Sequence, residues 1–297
     1  MLSILIPTYN YNVYPLVLEL KKQADSLDLK YEILVQDDNS TETYENSTIN
    51  SLTNCNFSVN QVNLGRGKNI NLLCTKSKYD YVLIMEADSL PENKLYLKNF
   101  VDSITNSTTI IFGGVKYPDN KPTKEKMLRW KYGKKRETKS LKHRQKFNYD
   151  FVFTWNLVLR KEILLKYPFP EYITEYGYED VIFIKTLQSN AISINHIENF
   201  LIHHNDEFSI DFIKKKQSSV TNLHSLITHN KIEYKDINLS AVYLFLKKLR
   251  IIGIVKLIYL KIRPKIIVNL TSENPNLYLL DFYKLGYYCT IQDSKNV

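Results

Sequence analysis

Residues 2–39 read LSILIPTYNYNVYPLVLELKKQADSLDLKYEILVQDDN. Ser3–Ile6 is a short apolar run, Val13–Leu27 carries Leu16, Leu20 and Leu27 at helical spacing, and Tyr31–Val35 is strand-like again. A strand, a helix and a second strand in so short a span predict a βαβ unit, whose crossover makes the two strands parallel. The alternation continues outward with a strand at Phe57–Val62 and a helix at Gly67–Cys74. Further strands follow at Tyr81–Met85 and at Thr108–Phe112, the latter running into Gly113-Gly114. This order predicts an α/β fold built on a mainly parallel, doubly wound sheet flanked by helices.

The second half is less regular. Lys121–Lys146 is polar and basic and reads as a mobile loop or short helix. Phe151–Leu159 reads as a strand, Tyr178–Leu187 as a helix opening on Glu179-Asp180, and Ala191–Asn195 as another strand. Ser209–Thr228 is amphipathic, with Ile213, Val220, Leu223 and Ile227 on one helical face. No repeat or linker precedes about residue 230, so the expected division is one domain over 1–230 and an apolar, basic extension over 231–297.

An apolar fraction of 44% and a charged fraction of 24% describe a globular chain, not a disordered one. Three scattered cysteines, Cys55, Cys74 and Cys289, make neither a disulfide framework nor a zinc site. The start MLSILIPTYN lacks a basic n-region and a cleavage site, so it reads as a buried strand and the expected location is the cytoplasm. The formal net charge is +9, yet Lys116–Lys146 alone holds 13 Lys/Arg against 3 Asp/Glu. Such a surface attracts phosphates of any kind. Seven more basic residues and no acid lie between Ala241 and Val268. That stretch has no run of about 20 uncharged residues, so it does not span a bilayer. Placed at about 100° per residue, its charges scatter round the helical wheel instead of gathering on one face. Peripheral contact with the inner face of the cell membrane and a buried helix–strand cap are the two readings open for it.

In a parallel sheet the ligand crevice lies off the C-terminal strand ends. Those ends carry Pro7-Thr8-Tyr9-Asn10, then Asp37-Asp38-Asn39, then Asn63–Asn69, then Glu86-Ala87-Asp88. Period-two alternation would turn Glu86 and Asp88 to the same side, where two carboxylates suit a hard cation bound to a diphosphate. Glu179-Asp180 is either an acidic first turn that complements a helix dipole or a pair containing a general base. His203 or His204 can complete a metal's coordination, and Arg66 and Lys68 can meet phosphate oxygens. No Walker A, GxSxG or HExxH sequence is present, which leaves P-loop phosphoryl transfer and the common hydrolase mechanisms unsupported.

Taken in order, ILIPTYN, VQDDNS, NLGRGKN, IMEADS, IFGGVKY, LRWKYGKKRE, TWNLVLRKEI, YGYEDV and ENFLIHH resemble the family 2 glycosyltransferases over roughly residues 2–225. The likeness is to the branch that builds capsule, O-antigen or lipopolysaccharide. It implies the GT-A fold and a metal-dependent, inverting transfer from a nucleoside-diphosphate sugar, expected to be UDP-linked. The acceptor would be a glycan or lipid-linked oligosaccharide, with Mn2+ or Mg2+ as cofactor. Position by position, it puts Pro7, Thr8, Tyr9 and Asp38 at the nucleoside, Lys68 near the base or diphosphate, and Glu86 and Asp88 at the DxD positions. Asp88 and His203 would hold the metal, Asp180 would be the base and Glu179 would bind acceptor. Glu86 is one methylene longer than the usual first acid, and Trp155-Asn156 replaces two small or polar residues, which reshapes the expected acceptor pocket. Lys124–Arg136 fits an active-site flap. The competing reading is an inactive GT-A module that binds sugar nucleotide or glycan. Nucleic acid is not an expected partner, because carboxylates at the strand ends would repel its phosphates.

Overall fold

The computed structural model describes residues 1–105, 107–173, 175–204 and 206–291. The strands are β1 (Leu2–Thr8), β2 (Tyr31–Asp37), β3 (Cys55–Val59), β4 (Tyr81–Ile84), β5 (Ser89–Pro91), β6 (Ile110–Phe112), β7 (Val115–Lys116), β8 (Leu157–Arg160), β9 (Ile194–His196) and β10 (Leu201–His203). The helices are α1 (Tyr14–Asp25), α2 (Arg66–Lys76), α3 (Tyr96–Ser103), α4 (Met127–Tyr132), α5 (Leu141–Lys146), α6 (Lys161–Lys166), α7 (Glu179–Ser189), α8 (Ser209–Thr228), α9 (Asn238–Lys248), α10 (Ile252–Leu270) and α11 (Leu277–Ile291).

The chain divides into two compact units. The first comprises Met1–Pro118, Arg136–Thr174 and Glu179–Asn205. Its seven-stranded sheet has the order β3-β2-β1-β4-β8-β6-β9, in which β8 runs antiparallel to both neighbours and the other pairs are parallel. Every residue of β1 and β2 is buried, as expected for strands covered on both faces, which is why they read as continuous apolar runs. Each fully buried Leu or Ile there contributes on the order of 2 kcal/mol. A second sheet, β5-β10-β7, is short but brings Ser89 and His203 into register.

Two expectations for this unit change. Strand β4 ends at Ile84, and Ala87–Asp88 form a turn, so period-two alternation does not govern Glu86 and Asp88. The Phe151–Leu159 strand shrinks to Leu157–Arg160 because Asn156 adopts a left-handed φ of 71°. Asn156 is fully buried: its amide donates to the carbonyls of Gly114 and Asn199 (2.5 and 2.8 Å), and Tyr96 donates to its Oδ1 (2.6 Å). It braces the corner.

The second unit comprises Asp119–Lys135, Glu175–Tyr178 and Asp206–Val297. Leu128, Phe212, Tyr259, Ile266, Leu280 and Tyr283 form its core. The basic stretch expected as a loop or short helix is helical: a 3-10 turn at Lys124–Lys126 leads into α4, then a π-helical turn at Gly133–Glu137, with α5 further on. Leu128 is fully buried, and its N–H donates to Ser209 Oγ at the start of α8 (3.2 Å). The described residues of the C-terminal region form helices joined by short turns and hold no strand, so the strand of the expected helix–strand cap is not seen among them.

Candidate active site

Because β1, β2 and β4 are parallel, their C-terminal ends share one edge of the sheet, and three side-chain clusters meet the chain there. The first centres on Asp38, which is buried. Its N–H donates to the Thr8 carbonyl (2.8 Å). Its carboxylate accepts from the Asn60 amide and from the N–H groups of Leu64 and Gly65, each at 2.8 Å. Those bonds hold the turn into α2, where Gly65 sits at φ 82°, a conformation that favours glycine. Pro7 and Thr8 are buried at the end of β1, while Tyr9 is exposed. Thr8 Oγ1 is buried with no hydrogen-bond partner among the described residues.

Arg66, directly after Gly65, organises the second cluster. Its Nε donates to Glu86 Oε2 (3.1 Å), and its Nη1 donates to Thr154 Oγ1 and Asp180 Oδ1 (each 2.9 Å). Thr154 itself donates to Asp180 Oδ1. Burial alone would weaken the Arg66 charge, but Glu86, Asp180 and Glu179 together hold it above its ordinary pKa. Burial raises Glu86 against the pull of Arg66, with Asp88 and Asp180 adding to the rise. Burial pushes Glu179 up to about 7, and the Asp180 charge acts in the same direction.

The third cluster is Asp88 with His203. Strand pairing of β10 on β5 sets His203 Nε2 3.2 Å from Asp88 Oδ1. The buried imidazole lies between Trp155 and Tyr117, at centroid distances of 4.8 and 5.5 Å. His204 is exposed, and its N–H donates to the Asp88 carbonyl (2.8 Å).

The structure therefore brings Glu86, Asp88, Asp180 and His203 to one place, with Glu179 beside Asp180. Lys68 is half-buried in the first turn of α2, and no hydrogen bond or ion pair among the described residues ties it to these carboxylates. Two participants escape sequence reading. Arg66 looks like a phosphate contact in sequence but grips two carboxylates, and Thr154 has no local signal at all.

No set of three His, Cys, Asp or Glu side chains among the described residues forms a metal cage. The Asp88–His203 pair nevertheless fits a cation shared with a substrate. Mg2+ and Mn2+ sites commonly use one or two protein ligands and complete their shell with phosphate oxygens and water.

The sequence family described as Glycosyl transferase family 2 matches residues 3–167, more than half of the chain. The chain belongs to this family. Its sheet and flanking helices are those of a GT-A glycosyltransferase, and the matched region stops short of Glu179, Asp180 and His203. No curated protein matches the glycosyltransferase in sequence. Among solved structures it is similar to the mannosyltransferase PcManGT from Pyrobaculum calidifontis in complex with GDP-Man and Mn2+. That likeness has 14% identity and a TM-score of 0.53 over 99% of this chain and 86% of the other. Mannosyl-3-phosphoglycerate synthase from Rubrobacter xylanophilus is 15% identical, with a TM-score of 0.51 over 78% and 76% of the two chains. TarS from S. aureus is 21% identical, with a TM-score of 0.47 over 74% of this chain. The glycosyltransferase spans only 39% of that TarS chain.

Proposed function

We propose that this glycosyltransferase moves one sugar, with inversion, from a nucleoside-diphosphate sugar to a hydroxyl of a glycan or lipid-linked oligosaccharide during surface polysaccharide synthesis. The observation that carries the reading is the double tie of Asp180 Oδ1 to Arg66 and Thr154 within the cluster at the sheet edge. Its other oxygen, Oδ2, is left to take a proton. In a single displacement the acceptor oxygen bonds to the anomeric carbon as the bond to the diphosphate oxygen breaks on the opposite face. The acceptor proton passes to Asp180, and the nucleoside diphosphate leaves with the bonding electrons.

The remaining side chains divide the work of binding. Thr8 Oγ1, buried and unpartnered, offers a hydrogen bond to the nucleoside beside Tyr9 and Pro7. Asp38 acts through the turn it holds, which sets where α2, Arg66 and Lys68 begin. Asp88 and His203 would hold Mn2+ or Mg2+ together with the donor, and the cation would neutralise the leaving diphosphate. Glu86 keeps Arg66 in place, and Glu179 accepts hydrogen bonds from acceptor hydroxyls.

Asp180→Asn tests the base directly. Transfer should fall by about 100- to 10,000-fold, while donor binding measured by calorimetry across UDP- and GDP-sugars stays within a few-fold of wild type. Transfer persisting near the wild-type rate would remove the assignment. A second reading, with Glu179 as the base, is favoured by one observation: its carboxyl titrates at about 7, near the optimum for proton transfer at neutral pH.

A further inference from the structure

Helix α10 is apolar on two opposite sides. Tyr259, Ile266 and Leu270 face the core of the second unit. At about 100° per residue, Ile254, Leu257, Leu260 and Val268 fall on the far side. They are exposed there, Leu257 by 69% and Val268 by 71%. The end of α9, which leads into α10, adds Phe245 at 61%. Isolated exposed leucines are ordinary, but four large apolar side chains exposed on one side of a helix mark an interaction surface.

The charges identify what covers it. Lys247, Lys248, Arg250, Lys261, Arg263 and Lys265 are all exposed, and no Asp or Glu occurs from Ile237 to Ser272. Lys261 and Lys265 lie among the outer apolar residues on the same helical projection, while Lys256 and Arg263 fall toward the inner side. A second copy meeting this face with its own would oppose like charges across a two-fold axis. An anionic lipid surface answers both features, taking the apolar side chains among its acyl chains and the basic ones at its headgroups. No helix among the described residues is long and apolar enough to cross a membrane.

We infer that the outer face of α10, with the end of α9, is a peripheral docking surface for an anionic bilayer. This inference does not depend on the identity of the sugar donor or acceptor. The test is co-sedimentation of the full chain with phosphatidylcholine vesicles, with and without phosphatidylglycerol. Wild type binds the anionic vesicles, binds neutral ones far less, and releases as salt rises. Leu257→Glu with Val268→Glu, both at exposed positions, lowers partitioning on the order of 100-fold. Lys261→Gln with Lys265→Gln lowers it roughly 30-fold on anionic vesicles only. Both variants keep the wild-type melting profile and donor-induced thermal shift.

Three results would overturn the inference. One is binding by the Leu257→Glu, Val268→Glu variant equal to wild type. Another is wild-type binding that is absent or indifferent to phosphatidylglycerol. The third is a wild-type dimer in sedimentation velocity that the same double substitution dissociates, which assigns the face to a second copy.

Discussion

Glu179 keeps its proton up to about pH 7 because burial penalises its charge and Asp180 lies beside it, whereas Asp180 itself leans on the Arg66 guanidinium. Below pH 7 Glu179 is neutral, and above it Glu179 is ionised and, in its proposed role, accepts from substrate hydroxyls. The expected kcat/KM for acceptor therefore rises with pH through about 7, and Glu179→Gln flattens that limb while kcat at saturating acceptor stays within about 10-fold. A kcat loss of about 100-fold or more would transfer the base role to Glu179. The stability sign follows from the same shift. The native state holds a proton that the unfolded chain has already released between the ordinary carboxylate range and about 7, so unfolding free energy falls as pH rises through that window. Melting curves of the Gln variant should lack this fall. At this scale the sequence announces the acids and the histidine, since carboxylates after apolar runs are unusual enough to notice. Arg66 is hidden because its partners lie 20 and 114 positions away, and nothing local distinguishes a guanidinium bound to phosphate from one bound to carboxylates.

Helices α10 and α11 meet at Gly286, where a Cβ would lie 2.3 Å from Tyr259 Cγ. In an open helix Gly→Ala stabilises by about 1 kcal/mol, but here the buried Tyr259 ring would have to move. Gly286→Ala should therefore destabilise the protein by about 2 kcal/mol, seen as a lower melting temperature. Gly253→Ala, where a Cβ meets nothing within 4 Å, supplies the control and should leave it unchanged or slightly raised. Elements long enough to show a period were readable: Ser209–Thr228 is α8 to the residue, and Tyr31–Val35 lies within β2. The short strands β5, β7 and β10 carry too few residues to display alternation, and α3 has only eight residues in which to show a helical period. The antiparallel direction of β8 was also out of reach, because the corner that turns it depends on Asn156 meeting Tyr96, Gly114 and Asn199.

For the molecule as a whole, donor binding should appear as stability. A ligand that binds only the folded state at about 100 times its Kd adds about 2.7 kcal/mol, so the matching sugar nucleotide with Mn2+ should raise the melting temperature. Asp88→Ala should erase the part of that rise that requires metal, as read by thermal shift with and without Mn2+. The layered α/β architecture was legible because its strands alternate with helices along the first hundred residues or so, a pattern that permits few topologies. The partition of the chain into two interleaved units was not, since segments such as Glu175–Tyr178 join a unit whose bulk begins far downstream.

The bond between Arg66 and Asp180 also sets an order of events on the ribosome. Synthesis delivers the loops after β2 and β4 that carry Asp38, Glu86 and Asp88 first, and domains form as their segments emerge. Asp180, the proposed base, and His203 arrive only after the family-matched stretch has ended at residue 167. A nascent chain that ends there has Arg66 and Glu86 but not Asp180, the second acid that Arg66 holds in the finished protein. A product of premature termination there would lack the proposed base and should not transfer sugar.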